Sequence, residues 1–384
     1  MISAARLAWL QLRRQKVRLA VAVAGVAFAV ILMFMQLGFM DALFRSAVNL
    51  HVRLDADLVL LDRRYNVLAL PTRFPERRLL QARAFDGVRS IASLHTGMAR
   101  FRNPESGGTR EIFVLGVDPA RPSLNVDGLE DGLDLVRYPN VALFDATSRP
   151  EYGPVAELIR EKGNLAAEAN RRTIELKGLF RLGTSFGVDG SLITSDLNYR
   201  RLFPAYPRGA VGIGLVRLEP GADPIAVRDA MRANLPPDVK ILTHDEFIAD
   251  EVQYWATATP IGFVFTFGVI MGIVVGMIIV YQILFADISD HLSEYATLKA
   301  MGYAHRYLAG VVLMEASLLA FLGFAPGIGI SSWLYGVTKD ATHLPMEIAL
   351  DRGASVLLLT LAMCWASGLI AIRKLRTADP AEVF

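Results

Sequence analysis

The sequence predicts a membrane protein with four transmembrane helices, arranged one plus three, and a large α+β periplasmic domain inserted between helices 1 and 2. Three observations predict it. Four apolar runs, at 19–40, 256–286, 308–337 and 353–372, each reach the roughly 20 residues that a bilayer crossing needs. Residues 41–255, between the first two runs, have an ordinary soluble composition. The chain of 384 residues is 53% hydrophobic, which is high for a soluble protein, and the excess is concentrated in those runs.

Residues 1–18 carry Arg6, Arg13, Arg14, Lys16 and Arg18 and no acid, followed by the uncharged run 19–40. This front end also suits a cleavable signal peptide. However, the run exceeds the roughly 7–15 residues of a signal core, and no small-residue cleavage site follows, so it reads as an uncleaved anchor. In the inserted region, period-two alternation predicts strands at "ADLVLLD", "REIFVLGVDP", "RRTIELKGLF" and "GIGLVRLEPG". "PVAELIREKGNLAAEANR" and "DPIAVRDAMRANL" read as helices, the second started by Asp223 before Pro224. At the ends of the region, Leu43, Ala47, Leu50 and Leu54, and then Ile248, Val252, Trp255 and Thr259, keep helical spacing. That spacing predicts two stalk helices lying against each other, or else a pair of amphipathic surface helices.

Basic residues in the short segments set the orientation. The tail 373–384 has Arg373, Lys374 and Arg376, and the segment 287–307 has Lys299 and Arg306. In the loop 338–352, Lys339 and Arg352 are outnumbered by Asp340, Glu347 and Asp351. Both termini are therefore expected in the cytoplasm and the inserted domain in the periplasm, with the chain in a bacterial inner membrane.

Several function classes lack support. A net charge of +2 gives no field suited to nucleic acid. Cys364 is the single cysteine and lies in an apolar run, so it reads as a small buried hydrophobe. No phosphate-loop or H-E-x-x-H pattern occurs, and the histidines at 51, 95, 244, 291, 305 and 343 are scattered. The expectation is a non-catalytic chain with no metal site and no cofactor of its own.

The spans hold three features of note. Gly268, Gly272 and Gly276 lie four apart, and Gly323 and Gly327 flank Pro326, a pattern that lets helices approach closely in lipid. Packing within one chain and a homodimer contact both fit. Glu315 is the one formal charge of its span; a charge in that setting is costly, so it is expected to face protein and a hydrogen-bonding or cationic partner. Between two spans, "ADISDHLSEYATLKAMGY" begins with Asp287, Asp290 and Glu294 and carries Lys299 near its end, an order that complements a helix dipole. Ser289 is its expected cap and Gly302 its stop, while Ile288, Leu292, Tyr295, Leu298 and Met301 make an apolar edge. Such a helix fits a groove on a partner protein or lies on the membrane interface. With three acids nearby, the partner reading is favoured.

The run Glu294-x-x-x-Leu298-Lys299-Ala300-Met301-Gly302 resembles the E-x-x-x-L-[KR]-A-x-G segment of ABC permeases of the MacB/FtsX/LolC type. The one-plus-three layout and the ending Arg373 to Val383 are similar to the same family, and the segment 286–303 looks like the DevC branch. The resemblance implies a homodimer with the 288–302 helix contacting a separate DevA-like ATPase, which would use ATP and Mg. It further implies a DevB-like membrane-fusion adaptor and a TolC-like outer-membrane channel. In MacB the nucleotide-binding domain is fused to the permease, whereas here the ATPase is expected to be a separate subunit. An FtsX-like transducer that controls a periplasmic enzyme without transport, and a membrane receptor or membrane-bound enzyme, are the competing readings.

Overall fold

The computed structural model describes residues 16–377 apart from 122, 186, 295, 296, 298–300, 302 and 343. In chain order, α1 (Lys16–Ala47) and α2 (Asn49–Val52) precede β1 (Leu58–Asp62), β2 (Phe74–Pro75) and α3 (Glu76–Ala82). Strands β3 (Val88–Arg102), β4 (Thr109–Val117) and β5 (Val141–Asp145) lead to α4 (Val155–Lys162), β6 (Leu165–Ala169) and β7 (Arg172–Phe180). Then come β8 (Ser191–Ser195), α5 (Asp196–Leu202), β9 (Ala210–Val211), β10 (Ile213–Leu218), α6 (Pro224–Asn234), β11 (Val239–Thr243) and α7 (His244–Gln253). The chain continues through α8 (Pro260–Asp290), α9 (His305–Thr342) and α10 (Leu350–Thr377). These elements form two compact units, residues 43–259 and the remainder.

In the helical unit, α1, α8, α9 and α10 are each long and apolar enough to cross a membrane. Their shared core includes Val26, Met33, Phe34, Val280, Leu284, Val312, Leu319, Met363 and Cys364. Helix α8 differs from the others: only 17% of its apolar window is buried within the chain, against 39% for α1 and 44% for α10. Phe263, Phe267, Ile270 and Ile278 accordingly project from it exposed. The second span starts at Pro260, later than the sequence reading of 256. Thr259 is extended (φ −118°, ψ 157°) after a π-helical turn at Tyr254–Ala258. A residue before proline is pushed out of the α region, so the helix cannot run through this point.

The inserted unit is a mixed nine-stranded sheet in the order β11-β1-β10-β3-β4-β8-β5-β7-β6, with a two-stranded β2-β9 ribbon beside it. The end of the long β3 also pairs with β6 through Phe101↔Ala169, which closes β3, β4, β8, β5, β7 and β6 into a ring. Parallel pairs β4–β8 (Phe113↔Ser191) and β5–β7 (Val141↔Glu175) sit among antiparallel neighbours. The four strands read from alternation are present as β1, β4, β7 and β10. Helix α6 begins as expected, with Pro224 in its first turn and Asp223 accepting from Ile225 N at 2.9 Å.

One expected helix is half a strand. In "PVAELIREKGNLAAEANR", α4 stops at Lys162 because Gly163 turns left-handed (φ 75°), and residues 165–169 become β6. Asn170 (φ 50°) and Arg171 (φ 61°) then form the two-residue turn that pairs Ala169 with Arg172. The stalks also differ from the expectation. Helix α1 ends at Ala47, and the short α2 follows after Val48. Leu50 and Leu54 sit in the sheet core beside Phe247, so α2 and α7 meet as packed parts of the domain, not as extended rods.

Candidate functional site

The segment carrying the resemblance begins inside a span. Helix α8 runs unbroken to Asp290, and Ser289 donates from Oγ to Phe285 O at 2.6 Å, the bond of a helix interior and not of a cap. Ile288 is fully buried in the chain's own helical core, with Leu292 packed against it. Ile288 is therefore not part of a partner-facing edge, and Leu292 is only half available to one. Asp287 is buried 3.5 Å from His291 Nδ1, and Arg18 Nη1 lies 2.7 Å from Asp290 Oδ2. Glu294 is exposed and Met301 is 63% exposed. Tyr295, Leu298, Lys299, Ala300 and Gly302 lie outside the described residues, as do 1–15 and 378–384.

The glycines are filled against by other helices of the same chain. A Cβ on Gly268 would collide with Gln36, and one on Gly276 would collide with Met363 and sit 2.7 Å from Ala29 Cβ. Gly272 faces Leu32 and Met33 at ordinary contact distance. On α9, a Cβ on Gly323 would stand 2.5 Å from Val26 Cβ, and one on Gly327 would stand 2.6 Å from Val30 Cγ1. Both glycine sets thus let α1 lie close to α8 and α9. This face of α8 is occupied, whereas its Phe263 and Phe267 face is open.

Glu315 faces protein as expected, with no exposed surface, and Asp287 acts on it electrostatically. No partner donates to either carboxylate oxygen among the described residues, in contrast to the expected pairing. A pairing that sequence reading missed lies elsewhere in the bundle. Arg352 is ion-paired to Asp41 and donates to Glu347 O at 2.9 Å, while the Tyr335 hydroxyl donates to Phe34 O.

The inserted unit contains a more elaborate polar centre, at Glu251 on α7. Its carboxylate is 2% exposed and accepts from Leu68 N (3.0 Å), Trp255 Nε1 (3.1 Å) and Tyr65 OH (3.2 Å). His51 Nε2 lies 3.2 Å from Oε2, near enough for an ion pair but off the line of a hydrogen bond. Burial, and then the Glu251 charge, push the Tyr65 hydroxyl well above its ordinary pKa. His51 packs on Phe247 with ring centroids 4.4 Å apart. The signal for this centre was available: Phe247, Glu251 and Trp255 are spaced by four, which puts a carboxylate on the aromatic face of α7. Beside it is a cavity of about 210 Å³ within the unit. The described residues contain no group of three or more histidine, cysteine or carboxylate side chains placed to hold a metal ion.

Residues 266–380 match the family described as FtsX-like permease C-terminal. No curated protein matches the chain. Among solved structures, the chain is similar to the periplasmic region of MacB from Actinobacillus actinomycetemcomitans at 11% identity and a TM-score of 0.35, covering 50% of this chain and 92% of that one. It is also similar to the extracellular domain of the noncanonic ABC-type transporter YknZ from Gram-positive bacteria, at 14% identity and a TM-score of 0.34, covering 49% and 98%. The FtsX-like permease segment takes in most of α8, all of α9 and α10, and the motif at 294–302.

Proposed function

We propose that this chain is the transmembrane permease subunit of an ABC exporter of the DevC branch, moved by a separate DevA-like ATPase. The observation that carries the proposal is the permease-family match over 266–380, which contains the E-x-x-x-L-K-A-x-G motif between two spans. The ATPase binds ATP and Mg and grips the segment from Glu294 to Gly302. Because Ile288 and Leu292 belong to the chain's own core, a push on that segment reaches α8 directly. Two copies assemble, and the open α8 face at Phe263 and Phe267 serves their contact better than the occupied glycine face. Motion of the inserted periplasmic domains then drives export through a DevB-like adaptor and a TolC-like channel. The FtsX-like transducer alternative shares the ATPase-driven motion but transports nothing: in place of the adaptor and channel it would engage a cell-wall hydrolase.

Orientation is tested by impermeant maleimide labelling of spheroplasts, made simple because Cys364 is buried. Ser106→Cys, in an exposed loop of the inserted unit, is expected to label in intact spheroplasts, and Met301→Cys only after lysis. Labelling of Met301→Cys before lysis contradicts the proposal.

A further inference from the structure

The cavity beside Glu251 has a consistent chemical character. Its walls include Leu68, Pro71, Met98, Phe113, Val188 and Trp255, all apolar or aromatic. Two carboxylates, Glu111 and Glu251, also line it, and none of its described lining residues is basic. Glu111 is exposed on β4 and has no ion-pair partner among the described residues, although Arg100 lies opposite it across the β3–β4 ladder. Glu251 is held by its three donors, one of which is the indole of Trp255, so carboxylate and ring form a fixed wall. An enclosed space of about 150 Å³ accepts benzene, so about 210 Å³ suits one ring with a short alkyl chain.

We propose that this cavity is a binding site for a small hydrophobic organic cation, an amine carried on an aryl or alkyl body. Its apolar body replaces water against Met98, Phe113 and Val188. Its ammonium group is drawn by Glu111 and Glu251, and the Phe113 and Trp255 rings offer faces that attract cations. Fatty acids and phosphate-bearing lipids are disfavoured, because two carboxylates would meet their charge with none of the cavity's described residues to offset it. Ala47 closes α1 and Trp255 lies just before α8 along the chain, so an occupant contacts the two segments that join the domain to the spans. The inference concerns the inserted unit alone. It stands apart from ATPase coupling, because binding is measured without nucleotide or ATPase.

The test uses the full chain in nanodiscs and three probes of one shape: 3-phenylpropylamine, 3-phenylpropanol and 3-phenylpropionate. Binding is read by calorimetry against empty nanodiscs. The amine is expected to bind at least about tenfold more tightly than the alcohol, and the carboxylate more weakly still. Glu111→Gln, at an exposed position, should weaken the amine about tenfold while leaving the alcohol unchanged. Ala69→Trp, which fills the cavity from an exposed position, should abolish binding of both. Equal affinity for amine and alcohol, or amine binding untouched in both variants, overturns the proposal, as does an amine that fails to bind the wild-type chain.

Discussion

Buried polar residues show what a single side chain can do in this molecule. His95 is 1% exposed, its Nδ1 is 3.0 Å from the Tyr206 hydroxyl, and its ring stacks on Tyr199 at 5.4 Å. Burial first, and then the charge of Arg200, lower its pKa from 6.5 to about 4. The unfolded chain therefore binds one more proton than the folded chain between those values. The stabilising effect is complete above pH 6.5 and is lost as pH falls toward 4, at up to about 1.4 kcal/mol per pH unit. Thermal unfolding of the full chain should thus show a steep acid limb in that window, and His95→Gln should flatten it. An unchanged limb in the variant would assign the acid sensitivity to other groups. At this scale the sequence was only partly legible. Histidines scattered along the chain reveal no role, because the fold brings His95 and Tyr206 together across 111 positions. Glu251 was masked by the neighbouring acids at 245, 246 and 250, and only its spacing from Phe247 and Trp255 marks it as inward-facing.

Local geometry governs the elements. The glycines of α8 and α9 were evident as a small-residue stripe, but a stripe alone does not say which helix fills it. The structure puts α1 there, at Ala29, Leu32 and Gln36 on one side and Val26 and Val30 on the other. Gly276→Leu is therefore expected to disrupt the monomer's own bundle, costing about 3 kcal/mol or more through overpacking against Ala29 and Met363. Gly329→Ala, where a Cβ meets nothing within 4 Å, should be neutral or slightly stabilising. Detergent-solubilised melting temperatures compare the two; a Gly276→Leu protein that melts normally but loses dimers would restore the dimer reading of the stripe. Strands with clean alternation and the Asp223-Pro224 helix start were readable because each depends on local sequence. The β6 strand was not, because Gly163 ends α4 in mid-pattern and the following "LAAEA" is also good helix sequence. The same holds for the stalks, whose apolar spacing continues through Val48 and Thr259 although the helices do not.

For the whole molecule, the one-plus-three layout followed from hydropathy alone, since long uncharged runs have few alternative fates. The nine-strand order and the β6–β3 closure did not, because pairing between distant strands leaves no local mark. The functional reading rests on a short motif whose neighbours Ile288 and Leu292 are anchored in the helical core, so that force on the motif has a defined recipient. The measurement that bears most directly on this reading is co-purification of the chain from its native membrane, with bound proteins identified by mass spectrometry, in the wild type and in Leu298→Asp. An ABC ATPase should accompany the wild type and be lost from the variant, while the variant's yield and melting temperature stay the same. If the wild type carries no nucleotide-binding protein, or if the variant retains it in full, the chain is not driven through this segment.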